Sequence, residues 1–62
     1  MDLRAFNTID ELEDYCESFT NNELAEIISD GSQEYGYKED PTECAFSKYE
    51  LELMGAILEN RF

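Results

Sequence analysis

The chain has 62 residues, with 16 acidic against 4 basic side chains, a formal net charge of −12 and no histidine. A chain of this length forms one domain, predicted here over residues 1–62, and its core is small. Without histidine it lacks the most common general base and metal ligand. Its charge repels phosphates and anionic lipids, so we expect direct binding neither to nucleic acid nor to a membrane.

The composition favours an all-α fold. Leu, Ile and Phe supply 14 of the 62 residues, just above the share below which a chain is expected to be disordered. Valine is absent, and the abundance of Leu and Glu is typical of helices rather than strands. There is no apolar run of membrane-spanning length and no signal-peptide pattern, so we expect a soluble, intracellular protein.

Three Ser/Thr-x-x-Glu patterns predict helix starts, because the two side chains can bond otherwise free backbone N–H groups of the first turn. The pairs are Thr8 with Glu11, Thr20 with Glu23, and Ser47 with Glu50. The spacing of apolar residues that follows each pair predicts helices over about 9–18, 21–30 and 48–60. The second helix is expected to end at Gly31, through a left-handed residue.

The segment between the second and third helices is rich in turn-forming and aromatic residues. Asp40, Pro41 and Glu43 predict one further helical turn, with Asp as cap and Pro at the first position. Residues 3–6 and 35–38 could pair as two short strands, or the N-terminal residues could cover the core as an extended arm. The prediction is therefore a small three-helix domain with a long loop or a short extra element between helices two and three.

The first helix carries a row of carboxylates, Asp10, Glu13, Asp14 and Glu17, on the face opposite its apolar stripe. Together with Glu11 the helix has five carboxylates over about 12 Å, a charge density comparable to that of duplex DNA. This row is either a solvated face or a surface that recognises a basic partner. The further candidate partner-binding residues are Glu23, Glu26, Glu34, Tyr35 and Tyr37.

The two tyrosines among these candidates have two interpretations. A tyrosine ring can stack on an arginine guanidinium while a neighbouring carboxylate pairs with it. Alternatively, the rings complete a core that is too small without them. Both interpretations remain open for Tyr35 and Tyr37, whereas Phe46 and Tyr49 are predicted to belong to the core.

The sequence does not predict an enzyme, a cofactor or a metal site. The residues that follow Asp30 do not reproduce the spacing of a calcium-binding loop. Two cysteines without histidine provide too few ligands for zinc. Cys16 and Cys44 are expected to be free thiols, since disulfides are uncommon in intracellular proteins.

In its size, charge and helix count the chain resembles the small, very acidic proteins encoded by bacteriophages and other mobile elements, which include anti-CRISPR, anti-restriction and other DNA-mimic proteins. The stretch 47–61, with YELELM and LENR, is similar to helices of small phage proteins. The resemblance implies a non-enzymatic inhibitor, in the cytoplasm of the host cell, whose acidic helices occupy a basic nucleic-acid-binding groove on a larger protein.

Two alternatives account for the same composition. A helical interaction or regulatory module would bind through an apolar face and use its acidity for solubility only. The residues of that face would be Leu53, Met54, Ile57 and Phe62, partly exposed. A small domain from a halophile would be equally acidic without any partner, and it would unfold at low salt.

Overall fold

The computed structural model describes residues 3–62. Its elements are α1 (Ile9–Glu17), α2 (Asn21–Tyr37), a 3₁₀ turn (Pro41–Glu43) and α3 (Lys48–Glu59). Within the described residues there is no β-strand, so the predicted all-α class is confirmed. The 3₁₀ turn is the short extra element that was predicted between the second and third helices.

The helices begin at the predicted caps. The Thr8 hydroxyl accepts a hydrogen bond from the backbone N–H of Glu11, and Thr20 and Ser47 each form a complete capping box. The 3₁₀ turn begins at Asp40, whose carboxylate accepts bonds from the N–H and the hydroxyl of Thr42. These bonds lower the pKa of Asp40. The capping rules therefore place every start correctly.

The predicted end of the second helix is wrong, because α2 continues past Gly31 to Tyr37. Gly31 is buried in the helix and has no positive φ. An ideal Cβ on Gly31 would lie 2.7 Å from Cδ2 of Leu51 on α3. The absence of a side chain at Gly31 therefore allows α2 and α3 to approach closely. The packing of α2 against α3 outweighs the low helix propensity of glycine, so the helix continues past this residue.

The N-terminal residues form an arm over the core, and the alternative of paired strands is wrong because Tyr35–Tyr37 belong to α2. The fully buried carboxylate of Glu50 accepts bonds from the N–H groups of Arg4, Ala5 and Phe6 at 2.8 to 3.2 Å. One α3 side chain therefore both holds the arm and caps its own helix.

Helix α3 lies at the centre and packs against both α1 and α2. The buried cluster is small, and partly buried apolar side chains from the arm and all three helices cover it. Its members are Leu12, Cys16, Leu24, Leu51 and Met54. Four rings, those of Phe6, Tyr15, Phe19 and Phe46, lie beside it with neighbouring centroids 4.9 to 6.4 Å apart.

Both cysteines are free thiols and both are buried. Burial raises the pKa of the Cys16 thiol, although the nearby Arg61 acts in the opposite direction. The two thiols serve as small core residues, as expected of buried free cysteine.

Candidate partner-binding surface

The carboxylates of the α1 row, Asp10, Glu13, Asp14 and Glu17, are all exposed. The first and the last are seven positions apart, which is about 10 Å of helix. The row therefore carries one charge per roughly 3.5 Å of axis. A single strand of duplex DNA carries one charge per about 3.4 Å. The charge spacing on α1 thus matches that of one DNA strand.

A second row runs along α2, and its length follows from the continuation of this helix past Gly31. Glu23, Glu26, Asp30, Glu34 and Tyr37 are spaced by 3, 4, 4 and 3 residues, so they share one helix face. Sequence reasoning missed Asp30, because a helix that ended there would have placed this residue in a turn. The recurrence of acidic residues every three or four positions from Glu23 to Glu34 was the signal in the sequence that could have identified Asp30.

Three of the predicted partner-binding residues also have roles within the fold. The Glu23 carboxylate accepts the Thr20 N–H at 3.0 Å in its capping box. The half-buried Glu34 pairs with Lys38, with 2.7 Å between carboxylate oxygen and Nζ. This hydrogen bond lowers the pKa of Glu34 and raises that of Lys38. The hydroxyl of half-buried Tyr35 donates to the carbonyl of Phe46 at 2.6 Å.

The other predicted side chains on α2 are free to meet a partner. Glu26 is exposed, and 69% of Tyr37 is accessible to solvent at the end of the row. Of the two tyrosines, Tyr35 therefore lies against the core and Tyr37 projects into solvent.

Both arginines bind backbone carbonyls rather than carboxylates. The guanidinium of Arg4 donates to the carbonyls of Pro41 and Cys44 at 2.9 and 2.6 Å. That of Arg61 donates to the carbonyls of Cys16 and Phe19 at 2.8 and 3.0 Å. Arg4 thereby ties the arm to the 3₁₀ turn, and Arg61 satisfies carbonyls at the end of α1.

The two lysines neutralise little of the acidic surface. Lys48 lies over the Tyr35 ring, with Nζ 5.4 Å from the centroid. Among residues 3–62 the pair Lys38–Glu34 is the single salt bridge. Thirteen of the fifteen acidic residues in this part of the chain are exposed. The bases therefore stabilise the fold, leave the α1 row without an ion pair, and compensate the α2 row only at Glu34.

Of the four residues of the alternative apolar face, three are at least partly exposed, as expected, and Met54 is not. Met54 is fully buried in the core, and Leu53 and Ile57 are half-buried against it. Phe62 alone of the four is widely exposed, to 87%. Met54 therefore cannot contact a partner in this conformation, whereas Leu53, Ile57 and Phe62 are accessible at least in part.

In the described part of the chain, no three Cys, Asp or Glu side chains are grouped so that they could hold a metal ion. None of the helices formed by residues 3–62 is both long and apolar enough to cross a bilayer. Comparisons with protein-family models, curated proteins and solved structures find no match to this chain. Its own residues must therefore carry any functional argument.

Proposed function

We propose that this protein is a phage- or mobile-element-encoded inhibitor, of the anti-CRISPR-like kind, that blocks a nucleic-acid-binding surface by mimicry. Its target would be a host defence protein or a protein that processes DNA or RNA. The carboxylates of α1 and α2 would stand where phosphates otherwise lie. The contact is stoichiometric and needs neither a cofactor nor catalysis.

The observation that carries this proposal is the use of the four basic residues. Three of them bind backbone carbonyls or an aromatic ring, so a single ion pair offsets the charge of residues 3–62. A protein that used acidity for solubility alone could pair more of these groups at its surface, where opposite charges three or four residues apart stabilise a helix. Here the repulsion between neighbouring carboxylates remains, and a cationic partner would relieve it.

The charge also determines how such a partner would be reached. A formal charge of −12 on 62 residues creates a field that attracts a basic groove over long distance and accelerates association at low salt. The same charge opposes direct binding to nucleic acid. Competition with nucleic acid for one basic surface is therefore the expected mode of inhibition.

The first experiment immobilises the protein and exposes it to a bacterial lysate at low and at high salt. We expect capture of a nucleic-acid-binding protein at low salt, and its release by added duplex DNA or by RNA. Release by high salt alone is insufficient, because any acidic surface would show it. Retention of the captured protein in the presence of both DNA and RNA would contradict mimicry.

The second experiment changes Glu13, Asp14 and Glu17 to lysine together. A matched control carries the same charge change at Glu39, Glu43 and Glu59, which are also exposed. We expect the α1 variant to lose binding to the captured protein and the control to keep most of it, with equal helicity by circular dichroism. Equal binding by both variants would show that the α1 row is not the contact surface.

A further inference from the structure

A groove of about 330 Å³ lies between α2 and α3. It is lined by Ser32 and Tyr35 from α2 and by Lys48, Leu51 and Glu52 from α3. This volume is at the lower end of the range for small-molecule sites. The groove therefore suits one long side chain rather than a helix of a partner.

The floor of the groove is apolar and fixed in position. Leu51 is buried in the core, and the Tyr35 ring is held by the 2.6 Å bond from its hydroxyl to the Phe46 carbonyl. The Lys48 ammonium already lies over this ring, 5.4 Å from the centroid. The ring is thus placed where a cation stacks on it, within the distance at which such contacts stabilise.

Glu52 provides a free carboxylate at the same groove. It lies four residues after Lys48 on α3, yet the two form no ion pair, and Lys48 lies over Tyr35 instead. In a helix the order Lys before Glu is the less favourable one for this pairing. Exposed Glu52 therefore remains available to a cation from outside.

We propose that this groove receives an arginine side chain of the basic partner, with the guanidinium paired to Glu52 and its alkyl stem along Leu51 and Tyr35. This rests on the proposed function, because it assumes a basic partner surface. Guanidinium fits better than ammonium because it is planar, weakly hydrated, able to bond a carboxylate through two N–H groups, and able to stack on an aromatic ring. Lys48 is flexible and would leave the ring when the arginine enters.

An anionic ligand is the competing occupant, since Lys48 lies at the groove. An anion is the less favourable occupant of the groove, because the net charge of −12 makes the electrostatic potential around the chain negative. Such a potential repels anions and attracts cations. The two charged side chains of the groove should consequently affect binding in opposite directions. Glu52 attracts the arginine, and Lys48 competes with it.

The test uses hexa-arginine and hexa-lysine peptides as probes, titrated into ¹⁵N-labelled protein and followed by NMR. We expect hexa-arginine to bind more tightly than hexa-lysine, with the largest shifts at the amides of Ser32, Tyr35 and Glu52. Changing Glu52→Gln should weaken hexa-arginine binding about fivefold, and Lys48→Met should strengthen it.

Glu59→Gln is the matched control, because it removes the same charge from an exposed position on α3 outside the groove. Its effect should stay below about twofold. Equal effects of Glu52→Gln and Glu59→Gln, or equal binding of the two peptides, would overturn the groove assignment. Hexaphosphate is added as a third probe. If it alone shifts the groove amides, the groove is an anion site and the assignment is overturned as well.

This result is separable from the proposed function. If the peptides bind only at the carboxylate rows of α1 and α2 and leave the groove amides unshifted, the groove assignment fails while the mimic proposal stands. If hexa-arginine binds in the groove but neither DNA nor RNA releases the captured protein, the mimic proposal fails and the groove assignment stands.

Discussion

An ideal Cβ on Gly31 would lie 2.7 Å from Cδ2 of Leu51, closer than side-chain carbon atoms pack. The same Cβ would also lie 3.5 Å from the ring of Phe46. Leu51 is packed in the core cluster, so relief of this contact requires its side chain to shift. The approach of α2 to α3, and with it the groove beside Tyr35, therefore depends on the absence of a side chain at residue 31.

The first prediction compares two glycines of α2. Gly36 has no neighbouring atoms within 4 Å of an added Cβ, so Gly36→Ala should raise the free energy of unfolding by about 0.5–1 kcal/mol through helix propensity. Gly31→Ala gains the same propensity but overpacks the core, at a cost of about 1–3 kcal/mol. We expect it to be the less stable variant in urea denaturation. Equal stabilisation by both substitutions would show that α3 does not approach α2 at Gly31.

The second prediction concerns the buried carboxylate of Glu50, which holds the N-terminal arm. Glu50→Gln replaces one acceptor oxygen by an NH₂ group, so either the N–H groups of the arm or the N–H of Ser47 lose their acceptor, and the free energy of unfolding should fall by roughly 1–3 kcal/mol. The amides of Arg4, Ala5 and Phe6, or that of Ser47 if the glutamine oxygen faces the arm, should lose protection from hydrogen exchange. Glu59→Gln, exposed on the same helix, is the control and should change stability little.

The third prediction is the pH dependence of the Glu50 contribution. Burial raises the pKa of this carboxyl, but bonds from the N–H groups of Ser47, Arg4, Ala5 and Phe6 lower it, and together they hold the pKa below its usual value. A carboxyl whose folded pKa is lowered contributes stability above its unfolded pKa, about 4.3 for Glu. That contribution is lost as pH falls through the folded pKa.

The measurement is the difference in unfolding free energy between wild type and Glu50→Gln from pH 7 to pH 2. The difference should be constant above about pH 5 and should shrink below about pH 4, because protonated Glu50 resembles glutamine. Taking the difference cancels the titration of exposed carboxylates that both proteins share. A difference that is flat over the whole range would show that Glu50 does not hold the arm as a carboxylate.

Local rules were sufficient to predict the helix starts, and non-local contacts decided the rest. Thr8, Thr20 and Ser47 are correct as caps because the bonding partner of each lies three residues away. The end of α2 depends on Leu51, which lies 20 positions after Gly31 in the chain, and no local pattern reveals that contact. For the same reason the sequence could not show that Glu50 binds the arm.

In the candidate site, too, local spacing predicts some features and contacts between distant parts of the chain determine the others. Helical spacing alone was enough to place Asp10, Glu13 and Glu17 on one exposed face of α1. The sequence could not predict the hydrogen-bond partners of the arginines, because Arg4 and Arg61 donate to carbonyls that are about 40 positions away in the chain. Because both guanidinium groups bind carbonyls, neither of them pairs with the carboxylate rows.

The last prediction follows from the charge imbalance of the chain and concerns the effect of salt on stability. Salt weakens the Lys38–Glu34 pair, but this is one half-buried pair on the helix surface, and a single such pair contributes little to stability. Salt also weakens the repulsion among thirteen exposed carboxylates, and each unfavourable neighbouring pair costs about 0.2–0.5 kcal/mol. The weakening of the repulsion should therefore be the larger effect of salt. The melting temperature should rise as NaCl is increased from about 0.01 to 0.15 M, because the Debye length falls from about 30 to 8 Å over this range.

A variant with a neutralised α1 row tests whether this repulsion lies on α1. The variant Glu13→Gln, Asp14→Asn, Glu17→Gln should melt at a higher temperature than wild type at low salt and should show a smaller rise with NaCl, since its row no longer repels itself. Differential scanning calorimetry at several salt concentrations measures both quantities. A chain that is unfolded at low salt and folds only in molar salt would instead behave as a halophilic domain, whose acidity requires no partner. A salt response identical to that of wild type would place the repulsion outside α1.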